Sequence, residues 1–424
     1  MPQTGQILVF VGVGSIFGFL ISLLFIRQNA DDCFGKIVAM SAVYIHIPFC
    51  IKRCYYCDFI TYAGQGHLIG KYTDRLLQEI KAYQGVIPDP VDTVYFGGGT
   101  PSIFPAKTIS TVIKALNEQF TLNADAEITL EGNPGTLSLP YLQELRQAGV
   151  NRLSLGIQSF DNADLKVLGR IHRAEQADEA IRFAREAGFE NLSLDLIFGL
   201  PGQTLKGWQE NLKRACDPGV EHLSLYSLIL EENTEFAHMV SSGELVLPDD
   251  EVMADMFEWA IDHLPTQGFE HYEISNWSKN PNLESRHNKV YWHNLDYLGL
   301  GAGAHGRLDE TRYHNYDQLQ DYIGNCDDAD KAGSPFIMEK IPVSTRDAMQ
   351  EQMILGLRLT HEGVSDSVFK ERFGLTIEEA FPIEIKGLSA RQLVEWVEFE
   401  DGPHLRLTRR GILFGNQAFM EFVD

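Results

Sequence analysis

The chain has 424 residues, of which 44% are hydrophobic and 22% are charged, so it is a globular protein with room for two or three domains. Its net charge of −24 at pH 7 repels phosphate backbones, and nucleic acid is therefore not an expected partner. Six cysteines are too few for a disulfide framework in so long a chain. Three of them are clustered, which favours a reducing compartment and a metal site.

The N-terminal segment, residues 1–40, differs from the rest of the chain. Residues 7–26, ILVFVGVGSIFGFLISLLFI, carry no charge, and about 20 apolar residues are enough to span a bilayer. By the Lys/Arg rule the C-terminal side would face the cytoplasm. A cleaved signal peptide is not favoured because residues 1–6 contain no Lys or Arg. We predict either a membrane anchor or a spurious extension upstream of a start at Met40.

From residue 41 onwards, short β-branched runs alternate with amphipathic stretches, a pattern typical of strands that alternate with helices. Six strand–helix units in series require parallel strands with right-handed crossovers. We therefore predict an α/β fold with a partial (βα)6 barrel of the TIM type over residues 41–306, and a doubly wound open sheet is the alternative. The predicted strands are 42–47, 92–97, 126–131, 152–157, 191–198 and 222–229.

Polar and glycine-rich motifs follow these strands at their carboxyl ends. Both architectures place their functional site at that edge of the sheet. We therefore expect one site there. The motifs are the three clustered cysteines, GGGTPS (97–102), EGNPGT (131–136), GIQSF (156–160) and Asp195 with the GLPGQT that follows it.

The clustered cysteines, Cys50, Cys54 and Cys57, have the spacing C-x3-C-x2-C after the first strand. A [4Fe–4S] cluster usually takes four cysteines, so three leave one iron open for chemistry. Structural zinc sites usually combine two C-x2-C pairs, and no second pair is present. The spacing favours an iron–sulfur cluster, and a zinc-binding structural protein remains a further hypothesis.

This spacing, with Tyr56 directly before the last cysteine, resembles the signature of the radical S-adenosylmethionine (radical SAM) enzymes. In that family the methionyl amino and carboxylate groups bind the open iron, and cleavage of the sulfonium gives a 5′-deoxyadenosyl radical. The resemblance implies a [4Fe–4S] cluster and S-adenosylmethionine as cofactors, and a radical SAM barrel as the fold.

Further motifs, among them YIHIPFC, YFGGGTPS, DLIFGLPGQT, HNKVYW and GLGAGAHG, resemble one subfamily over about residues 42–424. It contains the oxygen-independent coproporphyrinogen III oxidases and the HemW-type heme chaperones. The resemblance implies that Tyr44, Gly98, Glu131 and Ile229 contact the S-adenosylmethionine on the cluster. It also implies a second such position, lined by Tyr56, Gly99, Thr100, Gln158, Arg170 and Asp195.

Several of these residues also have a purely structural interpretation. GGGT alone is weak evidence, because a tight strand-to-helix turn would also use glycines. Glu131 could cap the next helix, and Gln158 could cap the end of its strand. Arg170 and Asp195 could form a buried ion pair.

Two positions distinguish the branches of the subfamily. The oxidases carry a fourth cysteine two residues after the third, where this chain has Phe59. The chaperones carry HNxxYW, present here with His287, Tyr291 and Trp292, and there the histidine is tied to heme binding. Histidine is a common ligand of heme iron, and the two aromatic residues could form a flat apolar wall. His287 could equally be an ordinary hydrogen-bonded histidine.

These features predict a heme chaperone that binds heme and passes it to acceptor hemoproteins. We expect it in the cytoplasm, with residues 7–26 as a possible link to the cytoplasmic face of a membrane. The alternative function is that of an oxygen-independent coproporphyrinogen III oxidase.

The C-terminal part is predicted to comprise a linker (307–335) and a mostly helical, winged-helix-like accessory domain (336–424). Helices are expected at 345–359, 364–374 and 389–399, followed by a hairpin or wing. Residues 340–424 carry ten basic and fourteen acidic side chains, a balance of −4. A wing that reads DNA should be basic, so we predict a lid or a docking module over the barrel.

Overall fold

The structure, a computed structural model, describes residues 41–87, 90–324 and 334–423. The predicted N-terminal segment, including the candidate anchor at 7–26, lies outside these residues. Within them, no helix combines the length and the apolar character that crossing a membrane requires.

All six predicted strands and the helices after them are present. The strands are β1 (Ser41–Ile47), β2 (Val91–Gly98), β3 (Leu122–Gly132), β4 (Arg152–Gln158), β5 (Leu192–Phe198) and β6 (His222–Ser227). The helices are α1 (Ile69–Ala82), α2 (Ala106–Phe120), α3 (Leu139–Ala148), α4 (Ala174–Glu186), α5 (Leu205–Cys216) and α6 (Asp250–His263). Shorter helices, Asn162–Val167 and Glu235–Ser241, lie in the connections after β4 and β6.

The six strands are parallel, and their order in the sheet is their order in the chain. A doubly wound sheet would reverse that order partway across. The barrel-type winding is therefore confirmed, and the doubly wound alternative is wrong.

Shorter strands extend the sheet at both edges. Beyond β6 lie β7 (Glu270–Glu273) and β8 (Asn276–Ser278), both antiparallel to their neighbours. After the helix α7 (Arg286–Trp292), β9 (Tyr297–Leu300) pairs parallel with β1. Then follow β10 (His305–Leu308), β11 (Thr311–Asn315), α8 (Leu319–Gly324) and β12 (Ile337–Pro342). In the described part of the chain no pairing joins the two edges, so the barrel is partial.

Part of the segment predicted as a linker, 307–335, belongs to this sheet. β10 and β11 form an antiparallel hairpin, and β11 also pairs with β12. The two residues between the hairpin strands, Asp309 and Glu310, both have positive φ (46° and 58°). Such turns usually carry Asn-Gly or Asp-Gly, whereas this turn is Asp-Glu, so the sequence did not predict the hairpin.

Successive residues of the six strands serve two different surfaces, as the pleat requires. One set is apolar and fully buried against the helices, for example Val43, Val94 and Leu153. The alternate set, such as Tyr44, Tyr95 and Ser154, lines a cavity inside the barrel. TIM barrels usually fill this interior with branched aliphatic side chains, whereas here it is polar and hollow.

The C-terminal module consists mostly of helices with a small antiparallel sheet. Its helices are α9 (Thr345–Gly356), α10 (Asp366–Phe373), α11 (Ile377–Ala380), α12 (Pro382–Ala390), α13 (Arg409–Leu413) and α14 (Gly415–Met420). Its strands are β13 (Val364–Ser365), β14 (Val394–Phe399) and β15 (Gly402–Leu407), in the order β13-β15-β14. The β14–β15 hairpin follows the helices as a wing, in agreement with the predicted winged-helix-like arrangement.

The helix predicted at 389–399 is wrong. The preceding helix ends at Ala390, and Gln392 has a positive φ of 57°, which a continuing helix does not allow. Val394–Phe399 instead pairs over its whole length with Gly402–Leu407. The pairing partner decides the conformation of this segment, because β-propensity depends on such context.

Gly411, in α13, tests the packing of the wing. A Cβ at this position would lie 1.9 Å from the Leu393 carbonyl oxygen, so Gly411→Ala is expected to lower the free energy of unfolding by about 1–3 kcal/mol or more. Gly387, in α12, has open space, so Gly387→Ala is expected to raise it by about 0.5–1 kcal/mol. Urea unfolding measures both variants, and equal effects would contradict the packing described here.

Candidate functional site

One cavity of about 490 Å³ opens at the carboxyl ends of the six strands, a volume within the usual range of ligand pockets. The structure brings to its lining every residue predicted to bind the cluster or S-adenosylmethionine, and also His287. They are Tyr44, Cys50, Cys54, Tyr56, Cys57, Gly98, Gly99, Thr100, Glu131, Gln158, Arg170, Asp195, Ile229 and His287.

The loop that carries the cysteines is tied to the barrel at several points. Its base is closed by the parallel pairing of Phe49–Cys50 with Tyr62–Ala63. The Tyr55 amide donates to the Leu168 carbonyl (3.2 Å), and the Cys57 amide donates to the Cys54 carbonyl (3.2 Å). These backbone bonds hold the three thiols towards one cavity.

Hydrogen-bond donors reach two of the three sulfur atoms. Thr100 Oγ1 donates to Cys50 Sγ, and Arg170 Nη1 donates to Cys54 Sγ, each over 3.5 Å. Burial raises the pKa of Cys50, and it raises that of Cys57 to about 11. In residues 41–87, 90–324 and 334–423 no three or more His, Cys, Asp or Glu side chains are arranged to hold a metal ion. Three soft sulfur donors with donors aimed at their sulfurs nevertheless match the chemistry that an iron–sulfur cluster requires.

The glycine motif packs directly on the segment before Cys50. The amides of Gly99 and Thr100 donate to the carbonyls of Ile47 and Phe49, both over 2.8 Å. A Cβ on Gly99 would lie 2.6 Å from the Phe49 carbonyl oxygen, so only glycine fits there. Gly98 has a φ of +108°, which favours glycine. The glycines are thus needed for the turn itself, and the turn places Thr100 beside Cys50.

Glu131, in β3, is hydrogen-bonded to Tyr95 of β2 and to the glycine motif. Tyr95 Oη donates to its Oε1 (2.8 Å), and the Gly98 amide donates to its Oε2 (3.2 Å). Burial raises the pKa of the Glu131 carboxyl to about 7, against the lowering effect of these two bonds. It does not cap the next helix, because the N-cap of α3 is Ser138.

Tyr44 reaches the cysteine loop through His46. Tyr44 Oη shares a hydrogen bond with His46 Nδ1 (2.9 Å), and His46 Nε2 bonds to the Ile60 carbonyl (3.0 Å). A carbonyl only accepts, so Nε2 carries the proton and Nδ1 accepts from Tyr44. Burial lowers the pKa of His46 to about 4, so the ring is neutral at pH 7.

Arg170 and Asp195 do not form the ion pair that we considered. Arg170 Nη2 donates to the Gly156 carbonyl (2.7 Å) in addition to its contact with Cys54. The Asp195 carboxylate accepts from Ser154 Oγ (2.9 and 3.0 Å) and from Ser193 Oγ (3.4 Å). Each residue therefore has its own partners beside the cavity.

Gln158 ends β4 with a φ of +64°, a conformation that is strained for a residue other than glycine. The parallel register between β4 and β5 shifts just before it, between Gly156 and Gln158. Such strain is often found at functional sites.

His287 lies in the cavity wall with both ring nitrogens engaged. Nδ1 shares a hydrogen bond with Thr93 Oγ1, and Nε2 shares one with Tyr291 Oη, each over 2.8 Å. The residue is only 1% exposed, and burial lowers its pKa to about 3. In this structure it is a neutral, hydrogen-bonded histidine, as the structural interpretation expected.

The two aromatic residues of HNKVYW have different positions. Tyr291 lines the cavity, as a wall residue should. Trp292 does not line it, because it is buried beneath the Arg358 guanidinium, whose carbon lies 4.6 Å from the ring centre. The expectation that both would form the wall is therefore wrong for Trp292.

Sequence reasoning missed the polar side chains that line the inside of the barrel. They are Tyr95, Arg152, Ser154, Ser224 and Tyr226. Each belongs to a strand in which polar and apolar residues alternate, which was the available signal. The alternation alone does not show which face of a strand lines a cavity, so it did not identify these residues.

Three large apolar side chains at the mouth of the cavity were not assigned to it. Ile51, Phe59 and Ile171 are 58%, 46% and 40% exposed, and all three line the cavity. A cluster of exposed apolar side chains at the opening of a pocket is typical of a binding surface.

Two protein-family models match the chain. The one described as "Radical SAM superfamily" matches residues 44–215, and the one described as "HemN C-terminal domain" matches residues 343–414. The heme chaperone HemW of Bacillus subtilis is 38% identical over 386 residues, which cover 91% of this chain and 99% of that protein. The heme chaperone HemW of Lactococcus lactis is 36% identical over 383 residues, with 90% and 97% covered.

A solved structure is similar over nearly the same length. The coproporphyrinogen III oxidase HemN from Escherichia coli superposes with a TM-score of 0.76 at 26% sequence identity, covering 91% of this chain and 90% of that chain. The radical SAM fold is thus shared with this oxidase, while the sequence identity to the two chaperones is higher. The chain belongs to the HemW-type proteins of the radical S-adenosylmethionine superfamily.

Proposed function

We propose that the protein binds heme in addition to a [4Fe–4S] cluster and S-adenosylmethionine, and that it delivers heme to acceptor hemoproteins in the cytoplasm. One observation carries the proposal. Phe59 occupies the mouth of the cavity where the oxidases have a further cysteine, and His287 of the HNxxYW motif lines the same cavity. That the relatives are named heme chaperones supports it. Association with a membrane through residues 7–26 stays a prediction from the sequence.

The chain's own residues would hold the cofactors as follows. Cys50, Cys54 and Cys57 would bind the cluster, which when reduced supplies the electron that cleaves the sulfonium of S-adenosylmethionine. Thr100 and Arg170 would stabilise thiolate charge through the hydrogen bonds that they already donate. Each Glu131 oxygen accepts one bond and keeps a lone pair for a ligand N–H or O–H.

The mouth of the cavity has the character that a porphyrin face requires. Its exposed side chains Ile51, Phe59 and Ile171 are apolar, and aromatic rings such as Phe59 stack on flat conjugated systems. A cargo that must be released again is better held at an open mouth than in a closed core, because local opening costs less there.

The experiment that tests the proposal is anaerobic reconstitution with iron and sulfide, followed by heme titration and by heme transfer to an apo-hemoprotein. We expect a shift of the heme absorbance on binding and recovery of the holo-spectrum in the acceptor. The fold shared with HemN favours coproporphyrinogen III oxidation as the second candidate. Robust conversion of coproporphyrinogen III propionates to vinyl groups, with a reductant and S-adenosylmethionine present, would overturn the chaperone proposal.

The first prediction concerns the cluster. Reconstituted protein is expected to hold about four irons per chain, and Cys50→Ala, Cys54→Ala and Cys57→Ala are each expected to lose most of them. Cys216→Ala is the matched control, since Cys216 ends α5 and does not line the cavity. Iron and sulfide analysis measures this. A protein that takes up zinc and refuses iron would support the structural zinc hypothesis instead.

The second prediction concerns His287 as a heme ligand. Iron can bind Nε2 only if the bond from that atom to Tyr291 Oη is given up. Tyr291→Phe removes this competitor, so it is expected to keep or tighten heme binding. His287→Ala is expected to abolish the spectrum of histidine-ligated heme. It also removes the buried hydrogen bonds of His287 to Thr93 and Tyr291, so it is expected to cost about 1–3 kcal/mol of stability.

The heme spectra and urea unfolding curves of both variants decide the matter. If the heme spectrum of His287→Ala equals that of the native protein while its stability falls, His287 is structural and not a ligand.

The third prediction concerns pH. With a pKa of about 7, the Glu131 carboxyl changes from about one-tenth ionised at pH 6 to about nine-tenths ionised at pH 8. The ionised form accepts stronger hydrogen bonds. The quantity to measure is the affinity of native protein for S-adenosylmethionine divided by the affinity of Glu131→Gln, because other titrating groups then cancel. This ratio is expected to rise by up to about tenfold from pH 6 to pH 8. A ratio that stays constant would remove Glu131 from the ligand contacts.

A further inference from the structure

Arg152 and Arg170 are the two arginines that line the cavity in the described residues, and Arg152 has no role in the site so far. It is the first residue of β4, across from Thr129 of β3, so it lies at the opposite end of the strand from Gln158. Its side chain is 2% exposed and lines the cavity. We call this end of the cavity the floor, in contrast to the mouth near the cysteines.

The Arg152 guanidinium is not paired within the described residues. No hydrogen bond or ion pair to it is found there, and its Nε is buried without a partner. Burying a charged group without pairing is strongly unfavourable, and arginines inside proteins are normally paired and hydrogen-bonded. An arginine that stays unpaired therefore requires a reason.

The acidic groups that could pair with Arg152 are hydrogen-bonded to other partners. Arg152 lowers the pKa of both Glu131 and Asp195, so its charge reaches them. Glu131 is hydrogen-bonded to Tyr95 and to the Gly98 amide, and Asp195 to serines. Glu127 accepts from the backbone amides of Arg286 and His287.

The other titratable groups that Arg152 influences are also satisfied. His222 bonds to Ser193 and Tyr272, each over 2.8 Å, and His287 bonds to Thr93 and Tyr291. Burial keeps both histidines neutral by lowering their pKa. These carboxylates and imidazoles are thus hydrogen-bonded within the protein. The N–H donors of the Arg152 guanidinium are left to face the cavity.

We propose that Arg152 is a carboxylate-binding residue at the floor of the cavity, where it takes a carboxylate of the bound ligand. The guanidinium presents parallel N–H donors that match the two oxygens of a carboxylate. Heme carries such groups as its two propionates, whereas the methionyl carboxylate of S-adenosylmethionine is the group that the family binds to the open iron, at the mouth. The proposal therefore takes a heme propionate as the carboxylate, and it rests on the proposed function.

The first test uses native, reconstituted protein and two ligand pairs that differ only in the carboxylate. One pair is heme and heme dimethyl ester, and the other is S-adenosylmethionine and its decarboxylated form. We expect native protein to prefer heme to its dimethyl ester by about tenfold or more, since a hydrogen bond to a charged group has this value. The S-adenosylmethionine pair is the control, because its preference comes from the bond of the carboxylate to iron and does not depend on Arg152. Equal affinities for heme and its dimethyl ester would overturn the proposal.

The second test uses two variants. In Arg152→Met the preference for heme over its dimethyl ester is expected to fall to about one, while the affinity for the ester and the preference within the S-adenosylmethionine pair stay the same. Arg152→Lys keeps the charge without the paired donors, so it is expected to keep part of the preference. Loss of affinity for both members of a pair alike would indicate a structural role and would overturn the proposal.

Stability without ligand provides an independent measurement. Replacing an unpaired buried cation with Met should leave the thermal unfolding temperature unchanged or raise it. A clear decrease would show that Arg152 supports the fold and would count against the proposal. If Arg152→Met does not fold, the native ligand pairs and Arg152→Lys still decide.

The outcomes also separate this proposal from the proposed function. If native protein binds neither heme nor its dimethyl ester, the proposed function fails, and the role of Arg152 fails with it. If heme and its dimethyl ester bind equally, Arg152 has no such role while heme binding stands.

Discussion

Polar groups buried inside the barrel are costly unless they have hydrogen-bond partners, and this cost explains how most of the site is arranged. The strands place apolar residues against the helices and polar ones towards the cavity. Glu131 is paired with Tyr95, Asp195 with Ser154, and His222 with Tyr272. Because unpaired polar groups in a low dielectric are costly, such a network is rigid when complete. This network stabilises the fold although the interior of the barrel is hollow.

Hydrogen bonds also join the cysteine loop to the barrel. The glycine motif donates two backbone bonds to the segment before Cys50, and the His46 ring ties the far end of the loop to β1. The position of the three thiols is therefore determined by β1 and β2 together. A radical SAM scaffold needs this precision, because small displacements of reacting groups reduce rates strongly.

The difference between the two branches of the subfamily is local. The fold of HemN covers 91% of this chain, so the barrel and the C-terminal module do not distinguish an oxidase from a chaperone. Phe59 adds an apolar surface at the mouth, and HNKVYW contributes Tyr291 and His287 to the wall. The pairing of both His287 nitrogens means that heme binding through this residue requires a rearrangement of the wall.

The sequence by itself determined the strand–helix order, the six principal strands and the motif residues that meet at the cavity. It could do so because parallel strands joined by helices have a local period and a common carboxyl edge. Local patterns do not report which segments pair at a distance, so the strand at 394–399 and the hairpin turn at 309–310 were missed.

Only the tertiary structure decided how individual polar groups are partnered. Arg170 bonds to Cys54 and Gly156 and not to Asp195, Trp292 lies outside the cavity wall, and Arg152 is left without a partner among the described residues. Such pairings depend on distances of a few ångströms between strands far apart in sequence. A hydrogen bond is lost beyond about 3.5 Å, and residue spacing along a chain carries no information at that precision.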